Sequence, residues 1–135
     1  MKKPVMKYLA LLTLAMVMAI PLFAAKDKEK GEMTFNETTY NFGNIREDGG
    51  SVSHDFTFRN TGKGNLIVYD ASAQCGCTRP EFPKNPVAPG KSSKIKVTYN
   101  PIGRPGSFEK VVTIRTNGKK NKTRIKISGV VIPKK

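Results

Sequence analysis

The fold is most legible in Ser51-Val52-Ser53-His54-Asp55-Phe56-Thr57-Phe58-Arg59. Val52, His54, Phe56 and Phe58 fall on one side, and Ser53, Asp55, Thr57 and Arg59 on the other. Strict alternation of this kind has the period of a strand with one buried and one solvated face. Working outward, Asp48-Gly49-Gly50 precedes it and Asn60-Thr61-Gly62-Lys63-Gly64-Asn65 follows it, and both read as turns. Upstream, Met33-Thr34-Phe35 and Tyr40–Ile45 read as one strand region broken near Asn36-Glu37. Downstream, Leu66–Ala71, Ser92–Tyr99, Phe108–Thr116 and about Lys122–Ile132 repeat the strand pattern, with Asn117-Gly118 as a hairpin signal between the last two.

Ile95, Val97 and Tyr99 face one way in their strand, and Ile125, Ile127 and Val131 in the last. The segment Ala73–Gly90 is irregular; its Pro80, Pro83, Pro86 and Pro89 remove ladder donors, so it is expected to run along an edge. About seven short strand regions, with no amphipathic helix after the N-terminal segment, predict an all-β immunoglobulin-like sandwich of about seven antiparallel strands, residues 33–132.

The chain begins with the basic head Met1–Lys7, followed by the uncharged run Tyr8–Phe23, the small residues Ala24 and Ala25, and the charged Lys26–Lys30. That order reads as a signal peptide over residues 1–25, its apolar part helical, cut after Ala24 or Ala25, with residues 26–32 a charged linker. No later run is long enough to cross a bilayer as a helix, so no transmembrane anchor is expected after cleavage. The expectation is an exported protein of the periplasm, with secretion or the outer surface as further destinations.

The formal net charge is +14, with 24 Lys+Arg against 10 Asp+Glu. Export turns the expected partner away from nucleic acid and toward an envelope protein or an anionic envelope component. The plainer reading of the same lysines is a solvated surface that aids solubility and blocks sheet edges.

The only two cysteines lie in Gln74-Cys75-Gly76-Cys77-Thr78-Arg79-Pro80. Cysteines two apart cannot staple two sheets to each other, and they pair locally only where the backbone folds tightly. Gly76 permits an unusual backbone angle for such closure, and Pro80 ends ladder bonding; both are candidate loop-shaping residues. Four readings stand: a local disulfide that stiffens the loop, a redox pair, a copper(I) or zinc clamp, and disulfides to partners. The spacing is one residue shorter than Cys-x-x-Cys and no helix follows to lower a thiol pKa. A closed zinc site wants four ligands, and His54 and Met33 are the only further soft or imidazole donors after the signal, so no cofactor is expected.

His54 sits on the apolar face and reads as half-buried, bonded to backbone or water. A Ser-His-Asp arrangement fails locally, because Ser51, Ser53 and Asp55 face the other way. There is no Gly-x-Ser-x-Gly, His-Glu-x-x-His or phosphate loop, so no enzyme is expected. Arg104, at the tip of Gly103-Arg104-Pro105-Gly106, is an anion-binding candidate whose plain reading is a solvated turn charge.

"TYNFGNI" (39–45), "VSHDFTFRNTG" (52–62), "QCGCTRPEFP" (74–83), "VAPGKSSKIKVTYNPIGRPGSFEK" (87–110) and "TNG" (116–118) together resemble the bacterial exported family called domain of unknown function 1573, over about Met33–Val131. The resemblance implies a sandwich similar to the major-sperm-protein and PapD-type domains, and a Gram-negative source. It implies no activity; Cys75, Cys77 and the turn around Arg104 carry over as positions without an assigned chemistry.

Overall fold

The computed structural model describes residues 29–135, so the predicted signal peptide and the start of the linker lie outside the described residues. Eight strands form two four-stranded sheets: β1 (Met33–Phe35), β2 (Thr39–Arg46), β3 (Val52–Asn60), β4 (Val68–Ala73), β5 (Thr78–Glu81), β6 (Ser92–Tyr99), β7 (Gly106–Thr116) and β8 (Lys122–Ile132). The first sheet has the order β1-β3-β6-β5 and the second β2-β8-β7-β4.

The alternation read in residues 51–59 places Phe56 and Phe58 at 0% exposure against Ile95, Val97 and Tyr99 of the neighbouring strand. The second sheet contributes Val112, Ile114, Ile125, Ile127 and Val131, each at 1% or less. Burying side chains of this size contributes about 1.5–3 kcal/mol each, which makes this inter-sheet layer the main source of stability. Tyr99 and Phe108 stack across it with ring centroids 4.0 Å apart.

Four features differ from the sequence reading. The broken first region is two strands in different sheets. Asn36 N–H still donates to Thr57 of the first sheet, while the Thr38 carbonyl already accepts from Lys126 of the second. β2 meets β8 in parallel, whereas the expectation was antiparallel throughout. Leu66 lies outside β4 and forms a bridge with Val87, exchanging N–H···O bonds of 2.9 and 2.8 Å. The irregular 73–90 segment contains a strand, β5, at the edge of the first sheet, and Pro80 sits within it opposite Val97. An edge is where a strand tolerates proline.

Asn60 is a buried polar residue at 0% exposure. Its Oδ1 accepts from the N–H of Glu32 and of Gly62 at 3.0 Å each, and its Nδ2 donates to the carbonyls of Gly64 and Val87 at 2.8 Å each. One side chain therefore ties the linker, the turn after β3 and the 87–91 loop together, with all its bonding capacity used.

Candidate functional site

The chain leaves β4 of the second sheet and enters β5 of the first through Gln74–Cys77, and at this corner Cys75 and Cys77 are joined in a disulfide with Cα atoms 5.1 Å apart. The bend is closed further by backbone. Thr78 N–H donates to the Cys75 carbonyl at 3.1 Å, and Cys77 N–H lies 3.1 Å from Cys75 Sγ. Asn100 N–H donates to the Cys77 carbonyl at 2.9 Å, which fixes the corner to the end of β6. The two sulfurs have different surroundings: Cys77 is part of the buried core at 6% exposure, and Cys75 is half-buried against it.

Gly76 does not supply the unusual angle expected of it. Positive φ occurs at Gly43, Gly50, Gly90, Gly103 and Gly106, and a Cβ at position 76 would meet nothing within 4 Å. The corner is shaped by its hydrogen bonds and by the disulfide. Pro80 acts from β5 rather than from an irregular loop.

Beside the corner is a polar cavity of about 240 Å³ lined by Ser51, Gly76, Cys77, Arg79, Thr98 and Asn100. Arg104 lies across the end of β6, its N–H bonded to the Pro101 carbonyl in a turn that Gly103 and Gly106 permit with φ of 72° and 102°. Burial pushes the Tyr99 phenol above its ordinary pKa, and the nearby Arg104 charge partly opposes that rise.

The structure does not gather the other soft donors around the cysteines. His54 bonds through Nε2 to the Glu37 carboxylate, stacks on Tyr40 at 3.6 Å between centroids and meets Phe56 edge-on. Its partner is thus a carboxylate from the break between β1 and β2, not backbone or water. Met33 is on β1, at the opposite edge of the first sheet from β5. Among the described residues no cluster of three or more His, Cys, Asp or Glu could hold a metal ion.

A second candidate is a row of cations that the sequence reading did not single out from the overall positive charge. Lys122, Arg124 and Lys126 alternate with the buried Ile125 and Ile127, so they stand in a row on the outer face of the second sheet, about 6.7 Å apart. Arg115 is the cross-strand partner of Lys122, and Lys119 and Lys120 occupy the turn between β7 and β8. In this row only Lys126 is in an ion pair found among the described residues, with Glu109 at 3.4 Å. Because β8 lies inside the sheet, these cations do not block an edge. The Lys-x-Arg-x-Lys spacing was the signal that could have marked this face.

The architecture is that of a PapD-like immunoglobulin sandwich. The chain aligns with the ASH/PapD-like domain 7 of human CEP192 with a TM-score of 0.64 at 12% identity, covering 78% of this chain and 89% of that one. A protein of unknown function from Porphyromonas gingivalis W83 aligns with a TM-score of 0.67 at 19% identity over 81% of this chain; the chain spans about half of that protein, 51%. The E. coli chaperone DraB aligns with a TM-score of 0.52 at 10% identity, covering 76% of this chain and 56% of that one. No curated protein matches the chain. The chain belongs to the family described as "Protein of unknown function (DUF1573)", which matches residues 33–131.

Proposed function

We propose that this chain is an exported binding or scaffold module of the bacterial cell envelope, without catalytic activity, whose partner is an envelope protein or an anionic envelope component. The observation that carries the reading is the row of cations on the outer face of the second sheet, largely without acidic partners. Fixed cations of this kind raise the local concentration of an anionic partner and speed its encounter. Export is supported by the basic head, apolar run and small residues at 1–25. Two solved structures of similar fold are chaperones by name, YadV and DraB, and a binding role agrees with them. In this reading Cys75–Cys77 is a staple of the corner.

The test is crosslinked capture from an envelope extract at low and at high salt, using the wild type and Cys75→Ala/Cys77→Ala. The reading expects a salt-sensitive partner with both. No partner, together with turnover on a substrate, would sink it.

A thiol-redox or copper(I) role for Cys75-Gly76-Cys77 is the alternative, supported by the half-buried Cys75 and the polar cavity beside Cys77. Mass spectrometry before and after mild reductant, with metal analysis, separates the two. A pair that cycles readily, or copper that co-purifies, favours the alternative.

A further inference from the structure

We propose that the end of the second sheet, where the β7–β8 hairpin closes, is a docking surface for an anionic lipid bilayer. The proposal rests on the binding-module reading and names its anionic component as a membrane surface.

Six residues carry it. Arg115 and Lys122 face each other as the last cross-strand pair of the hairpin, and Lys119 and Lys120 lie in its turn, all exposed. Ile67 and Tyr69, 37% and 62% exposed, stand beside them on the approach to β4 and within it. A bulge between Val68 and Asp70 puts two consecutive residues, Tyr69 and Asp70, on the solvent side.

The patch is held in shape before any ligand arrives. Ile67 N–H donates to Asn117 Oδ1 at 2.8 Å, Asn117 N–H returns a bond to the Ile67 carbonyl at 3.1 Å, and Asn117 Nδ2 donates to the Asn65 carbonyl at 3.2 Å. Lys119 N–H is bonded to the Gly31 carbonyl at 3.1 Å. These bonds tie the backbone before β4 to the hairpin, so Ile67 and the hairpin cations lie at one end of the sheet.

Charge selects the partner class. None of the four cations is in an ion pair found among the described residues, and Asp70, opposite Arg115, is the acid that faces them. A second copy of the chain would bring like charge to like. A soluble polyanion would satisfy the cations but leave Ile67 and Tyr69 in water. A bilayer interface satisfies both, since anionic headgroups attract lysine and arginine while tyrosine and aliphatic side chains settle at headgroup depth. Each cation brought to such a surface is worth roughly fivefold in partitioning.

The experiment is sedimentation of the chain, as cells export it, with vesicles of phosphatidylcholine alone or mixed with phosphatidylglycerol. Soluble polyphosphate serves as the comparison ligand. The expected result is binding to the mixed vesicles only, lost at high salt. Lys119→Gln/Lys120→Gln/Lys122→Gln should weaken it roughly a hundredfold. Ile67→Ser/Tyr69→Ser should weaken vesicle binding while leaving polyphosphate binding unchanged. Equal binding to both vesicle types overturns the proposal, as does a Ser variant that binds mixed vesicles like the wild type. If no vesicle binds but a salt-sensitive envelope protein is still captured, the bilayer proposal falls and the module reading stands. If neither is seen, both fall.

Discussion

Cys75 and Cys77 are bonded to each other at the corner between β4 and β5, yet Cys77 lies in the core while Cys75 is half-buried at its margin. A bond spanning a sequence separation of 2 closes a very short loop, for which chain entropy gives roughly 1.6 kcal/mol. Removing the buried sulfur of Cys77 adds about 1 kcal/mol. Cys75→Ala/Cys77→Ala should therefore lower stability by about 2–3 kcal/mol in urea unfolding. A loss below about 0.5 kcal/mol would mean that the corner holds without the bond.

Asn60 bonds to four backbone groups from three segments, and no water is needed to complete it. Asn60→Ala strands buried donors and acceptors, so the expected cost is about 2–4 kcal/mol. Faster amide exchange at Glu32 and Gly62 should accompany it, because both N–H groups lose their acceptor. Unchanged exchange at both amides would count against this role.

Two glycines should respond in opposite ways. A Cβ at Gly129 would stand 2.8 Å from the Phe108 ring and 2.9 Å from the Gly43 carbonyl oxygen, whereas at Gly76 it would meet nothing within 4 Å. Gly129→Ala should destabilise by about 1–3 kcal/mol through overpacking. Gly76→Ala should be neutral or slightly stabilising, by up to about 0.5 kcal/mol, because it restricts only the unfolded chain. Thermal unfolding of the pair checks both, and a large loss from Gly76→Ala would show that the disulfide loop needs its glycine.

Tyr99 titrates above the ordinary tyrosine value because it is buried, with Arg104 partly opposing the rise. A folded pKa above the unfolded one means that the unfolded chain loses its proton first as pH climbs. The contribution is complete below the ordinary tyrosine value of 10.0 and is lost as pH rises through the folded value. Stability should fall above about pH 10, and Tyr99→Phe should flatten that fall. An unchanged alkaline slope in the variant would assign it to other groups.

Much of the sandwich was legible because period-2 alternation reports directly which side chains are buried. Phe56, Phe58, Ile95, Val97, Ile125 and Ile127 were read from it and fill the core. Alternation does not say which sheet a strand joins or who its neighbour is. The switch at Asn36–Thr38, the parallel β2–β8 pair and the Leu66–Val87 bridge were therefore hidden. The site was legible to a similar depth. Two cysteines around a glycine announced a tight turn, but the φ values place the left-handed glycines elsewhere. Lys122, Arg124 and Lys126 were visible as charge, while their position on an inner strand depended on long-range pairing. Glu37 reached His54 across a sheet change that local pattern does not encode.

In the proposed function the cationic surface meets the partner and the cysteines only support the fold. Affinity for a native envelope extract, measured side by side for the wild type, Cys75→Ala/Cys77→Ala and Lys122→Gln/Arg124→Gln/Lys126→Gln, separates the two roles. The cysteine variant should bind like the wild type, while the charge variant should lose roughly tenfold or more and most of its salt dependence. Loss of binding in the cysteine variant, with the charge variant unaffected, would contradict the proposed function.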